Sequence, residues 1–143
     1  MNEYLKEFLK WFTKDVNHLI ADNIVIGGTF ALLLHGLNYR DATDLDLIIY
    51  NPSIKQKNGL KQLTDTSTVN AYGNEVRSYK IEHRSYILNF VICVDPMPES
   101  LLTVHTEAFG HMKVQSIREV LKFKRRYGRD KDFEDIQRIK DQL

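Results

Sequence analysis

The sequence predicts an α+β fold: one domain over residues 1–143, a central mixed β-sheet flanked by helices, and a helical pair at the C-terminus. Three observations carry this expectation. Over residues 3–20 the apolar side chains Leu5, Phe8, Leu9, Phe12, Val16 and Leu19 recur at three and four, with Lys6, Lys10 and Lys14 opposite, which is the period of an amphipathic helix. Over residues 69–94 three runs rich in β-branched and aromatic residues alternate with turn residues. From Gln115 onward the helical period returns, divided by Gly128.

Taken in order, the first helix leads to a short buried strand, Asn23 to Ile26, a paired-glycine turn, and a helix from Phe30 to His35. A second strand runs from Thr43 to Tyr50. Asn51-Pro52-Ser53 stops it and starts a helix reaching about Leu63, weakened by Gly59. After a polar stretch, Thr64 to Thr68, come strands at Val69 to Tyr72, Glu75 to Glu82 and Ser85 to Val94. Tyr72-Gly73-Asn74 and His83-Arg84 are the turns of an antiparallel meander adjoining the first two strands. Pro96 and Pro98 mark a loop. Leu101 to Thr106 suits a strand or a short helix, ended by Gly110. Ser116 and Glu119 form a capping-box pattern for a helix that Gly128 closes. The last helix takes Asp130 as N-cap and Phe133, Ile136, Ile139 and Leu143 as its apolar stripe.

A chain of 143 residues is long enough to bury a substantial core. A net charge of +1 argues against a global field for nucleic acid or anionic membrane. The single cysteine, Cys93, excludes an internal disulfide framework and fits a reducing, cytoplasmic setting. No apolar run approaches transmembrane length, and the polar, acidic start is unlike a secretory signal, so no membrane partner is expected. His105 and His111 lack a recognisable zinc spacing and read as surface residues.

The chemistry concentrates between Ile24 and Ile49. Gly27-Gly28 removes two Cβ atoms, so the backbone amides can approach a ligand, and the helix that follows directs free N–H groups to the same place. Gly27, Gly28 and Thr29 are therefore candidate phosphate-binding residues. Asp44 and Asp46 are two apart on a strand, so both project from one face while Leu45 and Leu47 enter the core. Two adjacent carboxylates repel one another, and a divalent cation relieves that repulsion; oxygen-only ligands suit Mg²⁺ or Mn²⁺. A phosphate cradle beside a carboxylate pair is the equipment of phosphoryl or nucleotidyl transfer.

At Ile26-Gly27-Gly28 through Asp44-Leu45-Asp46 the sequence resembles the nucleotidyltransferase superfamily that includes DNA polymerase beta. Arg40 adds a likeness to abortive-infection toxins of the AbiEii type, whose Arg-x-Thr-x-Asp-x-Asp pattern is matched except that Ala42 stands at the threonine and Thr43 is displaced by one. The tail residues Lys124, Arg129, Lys131, Asp132 and Asp135 resemble the same branch. The resemblance implies a minimal nucleotidyltransferase fold, NTP as substrate, and Asp44 and Asp46 as catalytic metal ligands. It also implies that Arg40 and Lys124 contact the nucleotide, and it admits a toxin–antitoxin or phage-defence setting with a cognate antitoxin. The acceptor hydroxyl, on RNA, protein or a small molecule, is left open.

The family's third carboxylate falls at Asn89, which can ligate a metal or hydrogen-bond but has no charge and cannot act as a base. Asp95 is the alternative acidic residue on that strand's end. The basic residues from Lys122 to Lys131 are either a solvated face balanced by Asp130, Asp132, Glu134 and Asp135, or contacts to triphosphate or RNA, Lys124 first. Three readings follow: an active nucleotidyltransferase, a catalytically impaired relative that binds nucleotide or a partner without turnover, and a simple interaction module.

Overall fold

Seven strands form the sheet around which the helices pack, in the spatial order Thr64–Asp65, Ser78–His83, Tyr86–Cys93, Asp44–Tyr50, Ile24–Gly27, Gly110–Val114 and Leu102–Thr106. The structure is a computed structural model that describes residues 3–37, 44–70, 72–107 and 109–143. The helices are α1 (Glu3–Val16), α2 (Gly28–Leu34), α3 (Ile54–Leu60), α4 (Ile117–Tyr127) and α5 (Asp130–Gln142). The central strands are β1 (Ile24–Gly27), β2 (Asp44–Tyr50) and β7 (Tyr86–Cys93), with β6 (Ser78–His83) and the short β3 (Thr64–Asp65) on one side. On the other side lie β9 (Gly110–Val114) and β8 (Leu102–Thr106). β4 (Thr68–Val69) and β5 (Glu75–Val76) pair separately as a two-stranded ribbon. The β2–β7 and β1–β9 pairs are parallel and the other pairs antiparallel, so the expected α+β architecture with a mixed sheet and a C-terminal helical pair is what the chain adopts.

The side-chain period of two sends the central strands' residues to opposite faces. Leu45, Leu47 and Ile49 of β2, with Leu88 and Phe90 of β7, join Leu9, Phe12, Val16 and Leu19 in the larger core. Each such fully buried side chain contributes about 1.5–3 kcal/mol. The first helix is thus a packing element, as its stripe implies, and a 3-10 turn, Asn17–Leu19, completes it. Trp11 stacks on His83, with ring centroids 4.5 Å apart, tying α1 to the β6–β7 turn. On the opposite face Val25, Ile48, Tyr50, Val91, Cys93 and Phe123 form a smaller core under α4. Among the described residues no helix is long and apolar enough to cross a membrane.

Several boundaries differ from the sequence expectation. The polar stretch after α3 contributes β3, because backbone pairing with Tyr79 and Lys80 requires no apolar side chain. The expected strand from Glu75 to Glu82 breaks at Arg77, and the expected strand beginning at Val69 is confined to the ribbon. Gly110 does not end a strand; its φ of 73° turns the chain straight into β9, where Val104 meets Met112 and His105 meets His111. The last helix is capped from Arg129, whose backbone N–H donates to Asp132 Oδ2 at 3.1 Å, rather than by Asp130. Ile136 and Ile139 are buried as expected, whereas Phe133 and Leu143 are 45% and 70% exposed.

The helix after Pro52 starts with Ser53 accepting from the Gln56 N–H at 3.1 Å while Gln56 Oε1 accepts from the Ser53 N–H at 3.0 Å. Gln56 is buried and also donates to the Leu19 carbonyl at 2.9 Å. The helix ends at Leu60, and Gly59 has a packing reason, since a Cβ there would lie 2.4 Å from Leu19 Cδ2. Propensity alone favours alanine over glycine in a helix by about 1 kcal/mol. The contact reverses the sign: Gly59→Ala is expected to destabilise by about 1–3 kcal/mol, read as a lower urea midpoint.

Candidate active site

Strand register assembles the site's floor. Antiparallel pairing of β1 and β2 sets Gly27 opposite Asp46, and parallel pairing of β2 and β7 sets Asp46 beside Asn89. Asp44, Asp46 and Asn89 are all half-buried and share one face. The Asn89 amide nitrogen donates to Asp44 Oδ2 at 2.8 Å and to Asp46 Oδ1 at 3.0 Å. One side chain thus holds both carboxylates, and the partial positive charge of its NH₂ lies between two like charges.

Burial, and after it the neighbouring Asp44 charge, pushes the Asp46 carboxyl up to about 6. The Asn89 hydrogen bond and the more distant Lys124 and Arg129 charges pull it back toward the ordinary value. Asp46 also explains one of the two glycines. Gly28 has φ 63°, and a Cβ on it would lie 2.5 Å from Asp46 Oδ2. Gly27 is buried off the cleft lining, and its Cβ would meet Gln115 Oε1 at 2.8 Å and Ile48 Cγ1 at 2.9 Å.

Above the floor lies a cleft of about 690 Å³. Gly28 and Thr29 line it at one end. The Gly28 N–H already donates to Gln115 Oε1 at 3.2 Å, so Gln115 shares the glycine turn. One wall is α4, through Val120, Phe123, Lys124 and Tyr127, continuing into Arg129 and Lys131. The other is the β4–β5 ribbon, through Thr68, Val69, Asn70 and Val76. The ribbon is tied across to α4: the Asn70 side-chain amide donates to the Arg126 carbonyl, and a Cβ at Gly128 would collide with the Tyr72 ring. Burial, then the charge of Asp46, raises the Tyr127 hydroxyl's pKa, which keeps it a neutral donor or acceptor on the cleft wall.

The predicted residues therefore divide. Asp44, Asp46, Asn89, Gly28, Thr29 and Lys124 all line one cleft, and Gly27 lies beneath it. Lys124 is buried, so it is not part of a solvated face; its ammonium is 2.9 Å from Asp135 Oδ2, an ion pair between α4 and α5 that borders the cleft. Arg40 lies outside the described residues. Asp95 is not among the lining residues; it lies 2.8 Å from Arg126, whose guanidinium holds its carboxyl below the usual range. Sequence reading missed Gln115, Tyr127 and the ribbon. Gln115 precedes a helix cap and Tyr127 ends a helix, so neither carries a local signal; only packing brings them to the site.

Among the described residues no group of three or more His, Cys, Asp or Glu side chains is placed to hold a metal. The donor set here is two carboxylates and one amide. With the Asn89 amide turned to present its oxygen, that set is oxygen-only and fits Mg²⁺ or Mn²⁺. Burial is the larger cause of the upward push on Asp46; the lesser part, from the Asp44 charge, is what a cation between the two would offset. Comparison with known protein families, with curated proteins and with solved structures finds no match to this chain.

Two outcomes follow. Without metal, the buried Asp46 charge lowers stability fully above pH about 6 and not at all below pH about 4, where the carboxyl is protonated in both folded and unfolded states. Asp46→Asn is therefore expected to raise stability by about 1–3 kcal/mol at pH 7.5, with the gain fading toward pH 4, in paired urea titrations. Gly28→Ala forces both the left-handed backbone and the Asp46 contact, and is expected to cost about 2 kcal/mol or more, read as a lower urea midpoint.

Proposed function

We propose that the chain transfers a nucleoside monophosphate from an NTP to an acceptor hydroxyl, with Mg²⁺ or Mn²⁺ held by Asp44, Asp46 and the Asn89 amide oxygen. The observation that carries the reading is the convergence of two carboxylates and Asn89 on the floor of a cleft bounded by Gly28, Thr29, Lys124, Arg129 and Lys131. A bound divalent cation would supply charge neutralisation at the triphosphate and at the pyrophosphate that departs. The chain's own residues would bind and orient. Thr29, Arg129 and Lys131 border space for polyphosphate, and Phe123 on one wall with Val69 and Val76 on the other offers apolar contact for a base. In this reading the acceptor oxygen bonds to the α-phosphorus as the bond to the pyrophosphate oxygen breaks, and the hydroxyl's proton leaves to solvent water. The acceptor is RNA, a protein or a small molecule, and a cognate antitoxin remains part of the proposal.

Asn89 supports a second reading, nucleotide binding without turnover. Its amide cannot accept the acceptor hydroxyl's proton, and its NH₂ holds the carboxylates together without a cation. The experiment is incubation with α-labelled NTPs, Mg²⁺ or Mn²⁺ and cell extract. Label transfer that falls by about 10²-fold or more in Asp44→Ala and Asp46→Ala supports transfer; transfer unchanged in both variants overturns it. Calorimetric binding of a non-hydrolysable NTP, no transfer by the wild type, and transfer gained in Asn89→Asp would select the second reading.

A further inference from the structure

The β8–β9 hairpin carries a cluster that the cleft does not use. His105 and His111 are direct partners across the two strands, both exposed on the same face. Their ring centroids are 5.0 Å apart with planes at 64°. A metal bound through one nitrogen of each ring at 2.0–2.1 Å lies roughly 3.2 Å from each ring centre, so a tetrahedral angle separates the centres by roughly 5.2 Å. The observed 5.0 Å is close to that separation. The spacing of six in sequence hides it, because the ligands come from opposite strands and the turn alone sets the interval.

The hairpin is held from within. Met112 and Val114 are buried in the larger core and Val104 packs against it. Thr106 Oγ1 donates to the Gly110 carbonyl at 2.8 Å and accepts from the Phe109 N–H at 3.0 Å, fixing the turn. The ring pair therefore stands on a prepared backbone rather than on a loop. The next pair on that face is Thr103 and Lys113, and the Lys113 ammonium reaches toward the Asp22 carbonyl at 3.5 Å. Among the described residues no further His, Cys or acidic group joins the two rings to make a third ligand.

We propose that His105 and His111 form a two-histidine site for a transition-metal dication of the Zn²⁺, Ni²⁺ or Cu²⁺ class, with its remaining positions open to solvent. Imidazole ligands select these ions, whereas the Asp44–Asp46 pair suits Mg²⁺. The two places are separate: β1 lies between β2 and β9, and Val114, not His111, is at the end of β9 that adjoins the cleft. Bound metal would clamp β8, the edge strand, to β9. The inference is independent of nucleotidyl transfer.

The test is calorimetric titration of Zn²⁺ into untagged, chelator-treated protein in millimolar Mg²⁺. One equivalent is expected to bind, and His105→Ala and His111→Ala are each expected to weaken binding by about tenfold or more, through loss of the chelating partner. Asp44→Asn/Asp46→Asn retains the site. The Cu²⁺ spin-resonance spectrum is expected to show two coordinated ring nitrogens in the wild type and one in either single variant. Metal-free melting of both variants should match the wild type, since the substitutions are exposed. No bound Zn²⁺, wild-type affinity retained in both histidine variants, or loss only in the aspartate variant overturns the proposal.

Discussion

The Asn89 amide between Asp44 and Asp46 is the interaction on which the site depends. Two half-buried carboxylates on one strand face repel, and burial raises the cost of ionising the second. A neutral side chain with two N–H donors lowers that cost without bringing a charge of its own. It reaches both oxygens only because β2 and β7 run parallel with Asp46 and Asn89 in register. A slip of one residue would send Asn89 to the core and bring an apolar side chain to the carboxylates.

The same register explains the glycines. Asp46 fills the space a Gly28 side chain would need, and Ile48 and Gln115 fill that of Gly27. The glycine turn and the aspartate pair, separate in sequence, are therefore one packing unit. Gln115 extends it, since its backbone N–H donates to the Ile26 carbonyl at 2.8 Å and its side chain accepts from Gly28. The parallel β1–β9 pair delivers that residue, and β9 leads directly into α4, the cleft's wall. Lys124 then pairs with Asp135, so the wall is anchored to α5 by a buried ion pair whose partners are both more than nine-tenths covered. Removing Asp135 would take this carboxylate away from the buried Lys124 ammonium, which makes the geometry of that wall hard to vary.

Much of this was legible in the chain, because it rests on local physics. Periodicity marked α1, the central strands and the C-terminal helices, and Ser116 and Gly128 marked the ends of α4. The two-residue spacing of Asp44 and Asp46 dictated a shared face wherever the strand went. The alternation of β7 placed Asn89 opposite Phe90 and Leu88 before any partner strand was known. Where reading failed, the missing information was non-local. β3 is too short and polar to carry a pattern, and its strand character comes from β6; the pairing of β5 with β4 apart from the main sheet is likewise set by its partner.

The sequence by itself determined which residue types would stand on which face of each element, since side-chain direction follows from the helical and strand periods. Tertiary structure alone decided what those faces meet. Strand order brought Asn89 to the aspartates, parallel pairing brought Gln115 to Gly28, and the turn at Gly110 brought His105 to His111. Such meetings are set by the free energy of burying the two cores together, a sum over the whole chain that no short stretch encodes.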